Sequence, residues 1–210
     1  MIVSKNYSKG FYQFVTTSIL VFYFCVGCLG SSTVPEDHYY LLPKEKTNIN
    51  RLDRPLVDSV AVSQVLAEGL YRERSILFIK AASPLELRQY HYRHWAKAPS
   101  YMLQDDVVEL FRQANYAKDV VRHDPKSPAT IIVKGRLLRF EQIIESTESS
   151  VNVAIEFEVI TNGSEQNKKW RKIYEIREKA EGKSIHEIVE TFGRALSKIY
   201  SIFLSDLKKS

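Results

Sequence analysis

The densest cluster of chemically capable side chains is Tyr90-His91-Tyr92-Arg93-His94-Trp95-Ala96-Lys97. Read as one helical turn apart, His91 and His94 could share a metal, with His123 or Asp124 as third ligand. The plainer reading packs Tyr90 and Trp95 and leaves His and Arg as surface hydrogen-bonding groups. A zinc site wants more ligands than this spacing supplies, so we expect neither metal nor cofactor. Arg72, Arg74, Arg136 and Arg139 form a second set. An arginine in or beside a strand makes bidentate pairs with carboxylates across a sheet, here Glu141 and Glu156, and the same planar fork also fits a phosphate head group. Tyr40, Arg74, Tyr90, Trp95 and Arg139 are therefore candidate contacts for a lipid or a partner. The chain contains no G-x-x-x-x-G-K-[ST], G-x-G-x-x-G or G-x-S-x-G, hence no phosphate loop, dinucleotide turn or nucleophile elbow. We expect no enzyme.

The two cysteines, Cys25 and Cys28, both fall in the first thirty residues, so no disulfide can staple the remainder. No charged side chain occurs between Lys9 and Glu36, and Phe11 to Val26 is mostly aromatic and aliphatic. A basic start, an apolar run and then small residues is the layout of a secretory signal peptide. Cys25-Val26-Gly27-Cys28 resembles a bacterial lipobox, although Cys25 stands where Leu is usual. Cys28 is then the lipidation site, carrying a diacylglycerol and, after cleavage, an N-terminal acyl chain such as palmitate. Each buried methylene would contribute about 0.8 kcal/mol to anchoring. Leu29, rather than Asp, follows the cysteine, which favours outer-membrane sorting. Two other readings of the segment are an uncleaved inner-membrane signal anchor, since residues 10–27 nearly span a hydrocarbon layer, and a Cys-x-x-Cys redox or metal pair. Subtracting Lys5 and Lys9 from the formal net charge of +5 leaves +3 for the rest, too small an excess for a nucleic-acid binder.

The elements that must position these groups are legible in outline. His38 to Leu42, Leu56 to Val65 and Ser75 to Lys80 read as strands. Leu103, Val107, Leu110 and Ala114 recur at helical spacing behind Pro99, a residue suited to a first helical turn, with Asp105 and Asp106 toward the positive end of the dipole. Residues 118–122 form a short strand. Ile131 to Ile144 and Val151 to Ile160 follow as a hairpin with one wet face, Gly135 marking a bulge, and Asn162-Gly163 turns into a strand from Lys169 to Arg177. Ser184 to Glu187 is a capping box opening a helix whose stripe is Ile185, Ile188, Val189, Phe192, Leu196, Ile199 and Phe203. That stripe reads as core, or as part of a lipid-lined groove or partner interface. The order β-β-β-α-β-β-β-β-α predicts an α+β fold: a mainly antiparallel sheet with two principal helices on one face.

Several segments together carry a resemblance: Tyr39-Tyr40-Leu41-Leu42 soon after the lipobox, residues 71–80, residues 87–114 and residues 133–143. The most specific parts are the order Gln89, Tyr90, Trp95, Pro99, Leu103 and the run Gly135, Leu137, Phe140, Glu141. In these the chain resembles the ABC-type transport auxiliary lipoproteins, a group that includes the paraquat-inducible protein C type and the lipoprotein partners of MCE-domain lipid transport systems. The resemblance implies a signal peptide over 1–27, a lipidated tether over 28–37 and a periplasmic domain over 38–210. It also implies a non-enzymatic component on the outer membrane, contacting an MCE-domain protein and its ABC permease and ATPase, with phospholipid contact and a homo-oligomer as further expectations. The second function class is a lipid- or solute-binding lipoprotein with an apolar cavity on the order of several hundred Å3 between helices and sheet.

Overall fold

The computed structural model describes residues 35–44, 49–162 and 168–209. Cys28, the signal segment, most of the tether and Gly163 lie outside the described residues. The chain divides into Met1–Glu36 and Asp37–Ser210, and the second unit is the one described here. Its elements are β1 (His38–Tyr40), β2 (Val57–Val62), a 3-10 turn (Gly69–Arg72), β3 (Ser75–Lys80), β4 (Leu87–Trp95), α1 (Pro99–Gln113), β5 (Ala117–Arg122), β6 (Ile131–Ile144), β7 (Ser149–Thr161), β8 (Lys168–Lys179) and α2 (Ile185–Leu207). None of the described helices is long and apolar enough to cross a membrane.

β6 is the spine. One edge carries β7, antiparallel from Ile131↔Thr161 to Ile144↔Ser149, and β8 continues antiparallel beyond β7. The other edge carries β2 and β3 end to end, both parallel to β6, at Val60↔Ile131 to Val62↔Val133 and at Leu77↔Glu141 to Lys80↔Ile144. Leu66 bridges the gap, its N–H donating to Gly135 O at 2.8 Å and its carbonyl accepting from Leu137 N at 2.8 Å. The surplus chain between β2 and β3 is taken up by the 3-10 turn, which Gly69 enters at φ 56°, a conformation that costs glycine little. β5 pairs parallel with β2, β4 antiparallel with β3, and β1 parallel with β4. The long antiparallel ladders dominate, as expected of an α+β fold, with short parallel pairings on the far side of β6.

Three local readings need correction. Leu87–Trp95 is a strand rather than a helical turn, so four strands precede α1; opposite Ser75 to Leu77, β4 runs from His94 to Gln89, and its extra residues form a bulge. The bulge in β6 lies at Leu138, between Leu137↔Ile155 and Arg139↔Ala154, not at Gly135. Gly135 instead permits a close approach: a Cβ there would sit 3.0 Å from Val65 Cγ2. The bulge also switches which residues face inward. Ile131, Val133 and Leu137 are buried before it, Phe140 after it, and Arg139 is left exposed. The capping box is half formed: Ser184 Oγ accepts from Glu187 N at 3.2 Å, but the Glu187 carboxylate accepts from Glu181 N and Arg194 instead of Ser184 N.

The core lies between the sheet and the two helices. Phe203 of α2 stacks on Phe157 of β7 at 4.3 Å between ring centroids and meets Phe111 of α1 edge-on at 6.1 Å, so both helices cover the same face. Trp95, Phe140 and Phe192 form a second aromatic knot, with centroids 4.5 to 5.4 Å apart. The apolar stripe of α2 is therefore core.

Candidate functional site

Three of the residues singled out in the sequence meet at one corner. Parallel pairing sets Tyr40 of β1 against Trp95 of β4. Arg74, just before β3, donates from Nε to Trp95 O at 3.1 Å and from Nη2 to Ala96 O at 3.0 Å, while Ala96 N donates to Tyr40 O at 2.7 Å. The Arg74 guanidinium also lies 5.0 Å from the centroid of the Tyr39 ring. A charged fork thus fastens the β1–β4 junction while one of its faces stays on an exposed tyrosine. Trp95 is 1% exposed and acts from inside, through the Phe140–Phe192 knot.

Tyr90 and Arg139 lie elsewhere. Tyr90 OH donates to Gln142 Oε1 at 2.9 Å, and Gln142 Nε2 donates to Ser149 Oγ at 2.7 Å, a polar relay across β3. Arg139 pairs with Glu141 at 3.3 Å, the partner expected from the sequence. Glu141 is fully buried and also accepts from Tyr71 OH at 2.9 Å and Phe140 N at 2.7 Å. Burial pushes its carboxyl above the usual range, against the pull of those three donors. Arg136 faces Glu156 in register but pairs with Glu68 at 3.6 Å, and Glu156 pairs with Arg171 at 3.7 Å.

These pairs belong to a larger charged surface on the face of β6, β7 and β8 away from the helices. Glu158 is held by Arg171 at 2.5 Å and Lys169 at 3.1 Å, which keep its carboxyl below the usual range. Arg139 reaches Glu175 at 3.8 Å and Arg177 pairs with Glu145. Ile173 stands among them, 54% exposed.

The histidines separate. His94 Nε2 is 3.4 Å from Asp37 and its Nδ1 3.4 Å from Ser75 Oγ, whereas His91 lies beside Tyr92. Among the described residues no group of three His, Cys, Asp or Glu side chains converges as a metal would need. The space where a lipid-binding reading requires a cavity, between helices and sheet, is filled by Phe111, Phe157, Phe192 and Phe203. An open groove of about 550 Å3 lies over Asp105, Arg112 and Arg122, outside that core.

A smaller cleft escaped the sequence reading. It lies between α1 and α2, about 50 Å3 in volume, and is lined in part by Lys44, Asp106, Glu109 and Tyr200. The sequence reading places Asp106, with Asp105, only toward the positive end of the helix dipole. Its spacing, three residues after Leu103 and four before Leu110, was the available signal that it lies along the inward stripe.

The fold defines the class, a two-layer α+β domain with helices on one face and a charged β-surface on the other. The chain belongs to the ABC-type transport auxiliary lipoprotein component family, whose model matches residues 40–201. That family is an auxiliary lipoprotein component associated with ABC-type transport. Among solved structures, a Xanthomonas campestris protein of the DUF330 family is similar, at 16% identity and TM-score 0.67, covering 80% of this chain and 92% of its own. A second solved protein, described as uncharacterised, is 14% identical with TM-score 0.64 and covers 82% and 99%. These two likenesses concern the fold alone. Among curated proteins, none matches the chain in sequence.

Proposed function

We propose that this chain is a non-enzymatic docking component of an MCE-type ABC system for intermembrane lipid transport. In this reading residues 1–27 are a signal peptide, acylated Cys28 anchors the protein in the outer membrane, residues 28–37 are a tether, and the domain over 38–210 stands in the periplasm. The tether reaches at most roughly 3.5 Å per residue, which keeps the domain close to its membrane. The observation that carries the proposal is the closed aromatic core. The volume beneath the helices is taken by Phe111, Phe157, Phe192 and Phe203, so the domain is suited to holding a partner rather than an acyl chain. Arg139 and its neighbours on the charged face offer the partner surface, while Tyr40, Arg74 and Trp95 set the β1–β4 corner and Tyr90 is tied to Gln142 away from it.

The test joins intact mass to crosslinking. Full-length protein and Cys28→Ala are expressed in a Gram-negative host with the transport system present, each with a photocrosslinking residue at Ile173. Cleavage before Cys28, three acyl chains and an Ile173 crosslink to the MCE-domain protein are expected, all but the unmodified chain being lost in Cys28→Ala. An unprocessed chain in the inner membrane would overturn the anchor. A processed chain that crosslinks to no transport component from Ile173 or Arg136 would overturn the docking face.

A further inference from the structure

The cleft between α1 and α2 holds polar chemistry that the docking reading does not use. Its polar lining is Lys44, Asp106, Glu109, Gln113, Ser197 and Tyr200. Tyr200 is only 5% exposed, and its hydroxyl is buried with no hydrogen-bond partner among the described residues. An unpaired buried hydroxyl costs on the order of 1–3 kcal/mol, so in a native fold it calls for a missing partner. The cavity of about 50 Å3 exceeds the ~10–15 Å3 that admits one water, yet it holds only a few heavy atoms and no acyl chain.

The lining also sets the charge of that partner. Asp106 and Glu109 are one turn apart on α1, and Glu109 Oε1 already accepts from Gln113 Nε2 at 3.0 Å. Facing them are the hydroxyls of Tyr200 and Ser197 on α2, and the cation in this lining is Lys44, in the segment after β1. Acceptors exceed donors, which favours a ligand that is positively charged and rich in N–H. A metal is disfavoured because three converging ligand groups are absent among the described residues. Burial pushes the Asp106 carboxyl up to about 7, Lys44 opposing and the adjacent Asp105 reinforcing the rise. An arriving cation would favour its ionised form.

We propose that this cleft is a recognition site for a primary ammonium group, which Asp106 pairs by charge and to which the Tyr200 oxygen offers an acceptor. The ammonium can be that of a small free amine or of an aminophospholipid head group. The lipid arm rests on the transport reading above; the amine site itself does not. A quaternary ammonium has no N–H to give Tyr200 or Asp106, so methylation of the amine is the discriminating change.

Full-length protein in detergent is titrated with ethanolamine and with choline by calorimetry, alongside Asp106→Asn and Tyr200→Phe, whose folding is checked by circular dichroism. We expect saturable ethanolamine binding, weakened roughly tenfold or more in Asp106→Asn and severalfold in Tyr200→Phe, as charged and neutral hydrogen bonds are lost. Choline should not compete, and ethanolamine should bind more tightly at pH 8 than at pH 6, because Asp106 is ionised only above about 7. No saturable ethanolamine binding, equal binding of choline, or binding indifferent to both folded variants would overturn the site. Flotation of Cys28→Ala with vesicles of phosphatidylethanolamine or phosphatidylcholine then separates the sources. Preference for the former supports a lipid head group; saturable ethanolamine binding without that preference supports a free amine and leaves the docking reading standing.

Discussion

Phe203 gives the sharpest test of the closed core. It is fully buried on α2, stacked on Phe157 at 4.3 Å and edge-on to Tyr174 at 5.9 Å and Phe111 at 6.1 Å, with Trp170 at 6.1 Å. Phe203→Ala removes a ring from the junction of both helices with β7 and β8, where neighbours on rigid elements relax little. The expected loss is about 3–5 kcal/mol, the upper part of the range reflecting aromatic pairs worth ~0.5–1.5 kcal/mol each beyond burial. In a domain of this size that lowers the melting temperature by roughly 6–20 °C. Phe203→Leu, which keeps most of the volume, should cost under about 2 kcal/mol. The assay is urea and thermal unfolding of the full chain followed by circular dichroism, with Ile173→Ala as a surface control expected within about 0.5 kcal/mol of the parent. If Phe203→Ala loses less than about 1.5 kcal/mol, or no more than Ile173→Ala, the core is not closed there. The argument against an internal lipid cavity would then fail with it.

Three further outcomes follow from local geometry. Gly135→Ala places a methyl against Val65 Cγ2 and should cost about 1–3 kcal/mol, much of it regained in the double variant with Val65→Ala, as read by denaturant midpoints. Ser184→Ala removes the side-chain cap of α2 and should cost about 1 kcal/mol in the same assay. Asp106 holds its proton in the folded state up to about pH 7, whereas its unfolded value is 3.8, so the native state binds more protons across that window. The contribution of Asp106 to stability should therefore fall as pH rises from about 4 to 7, and Asp106→Asn should remove that contribution from the profile. A parent and variant with parallel pH profiles would refute this.

The parts legible in the sequence were those whose burial is set by period alone. The α2 stripe ending in Phe203 sees one continuous apolar surface, so spacing and exposure agree; in β7 the alternation picks the inward Val151, Val153, Ile155, Phe157 and Val159, but the face read as wet is largely covered as well, with Asn152, Ala154 and Glu158 buried. β4 escaped because its pairing with β3 is interrupted by a bulge and little of it reaches the core. Of its nine residues only Trp95 is buried, and the remaining Tyr, His and Arg residues give no one-sided apolar signal. The β6 bulge was misplaced because glycine is the usual marker, whereas the parity switch lies in the doubled Leu137-Leu138. The Tyr40–Arg74–Trp95 junction and the Asp106–Tyr200 cleft depend on pairings between distant stretches of chain. Periodicity within one element carries no information about which other element will approach it.

The sheet's own edges bear on how a partner must bind. β8 is twelve residues long and among the described residues pairs only with β7, which would leave a ready template for strand addition. Yet it carries Lys168, Lys169, Arg171, Lys172, Arg177 and Lys179, and Lys172 is drawn to Asp206 of α2 at 2.6 Å. β5, at another edge, is six residues with Lys118 and Arg122 ion-paired to Asp58 and Asp105, and β1 is only three residues. Short or cationic edges disfavour pairing with an arbitrary strand, because each added rung would bring charged side chains against the incoming chain. In the proposed docking reading, recognition falls to side chains on the broad charged face, where Glu158, Arg171, Arg139 and Glu175 are held in fixed ion pairs around exposed Ile173. A partner bearing the complementary charge order gains specificity from that pattern, since like charges brought together would be costly, while an apolar contact at Ile173 supplies part of the affinity. A docking surface of this kind predicts salt-sensitive association, weakening as ionic strength rises and the Debye length falls below about 8 Å. Association insensitive to salt would place the interface on the apolar residues elsewhere in the fold.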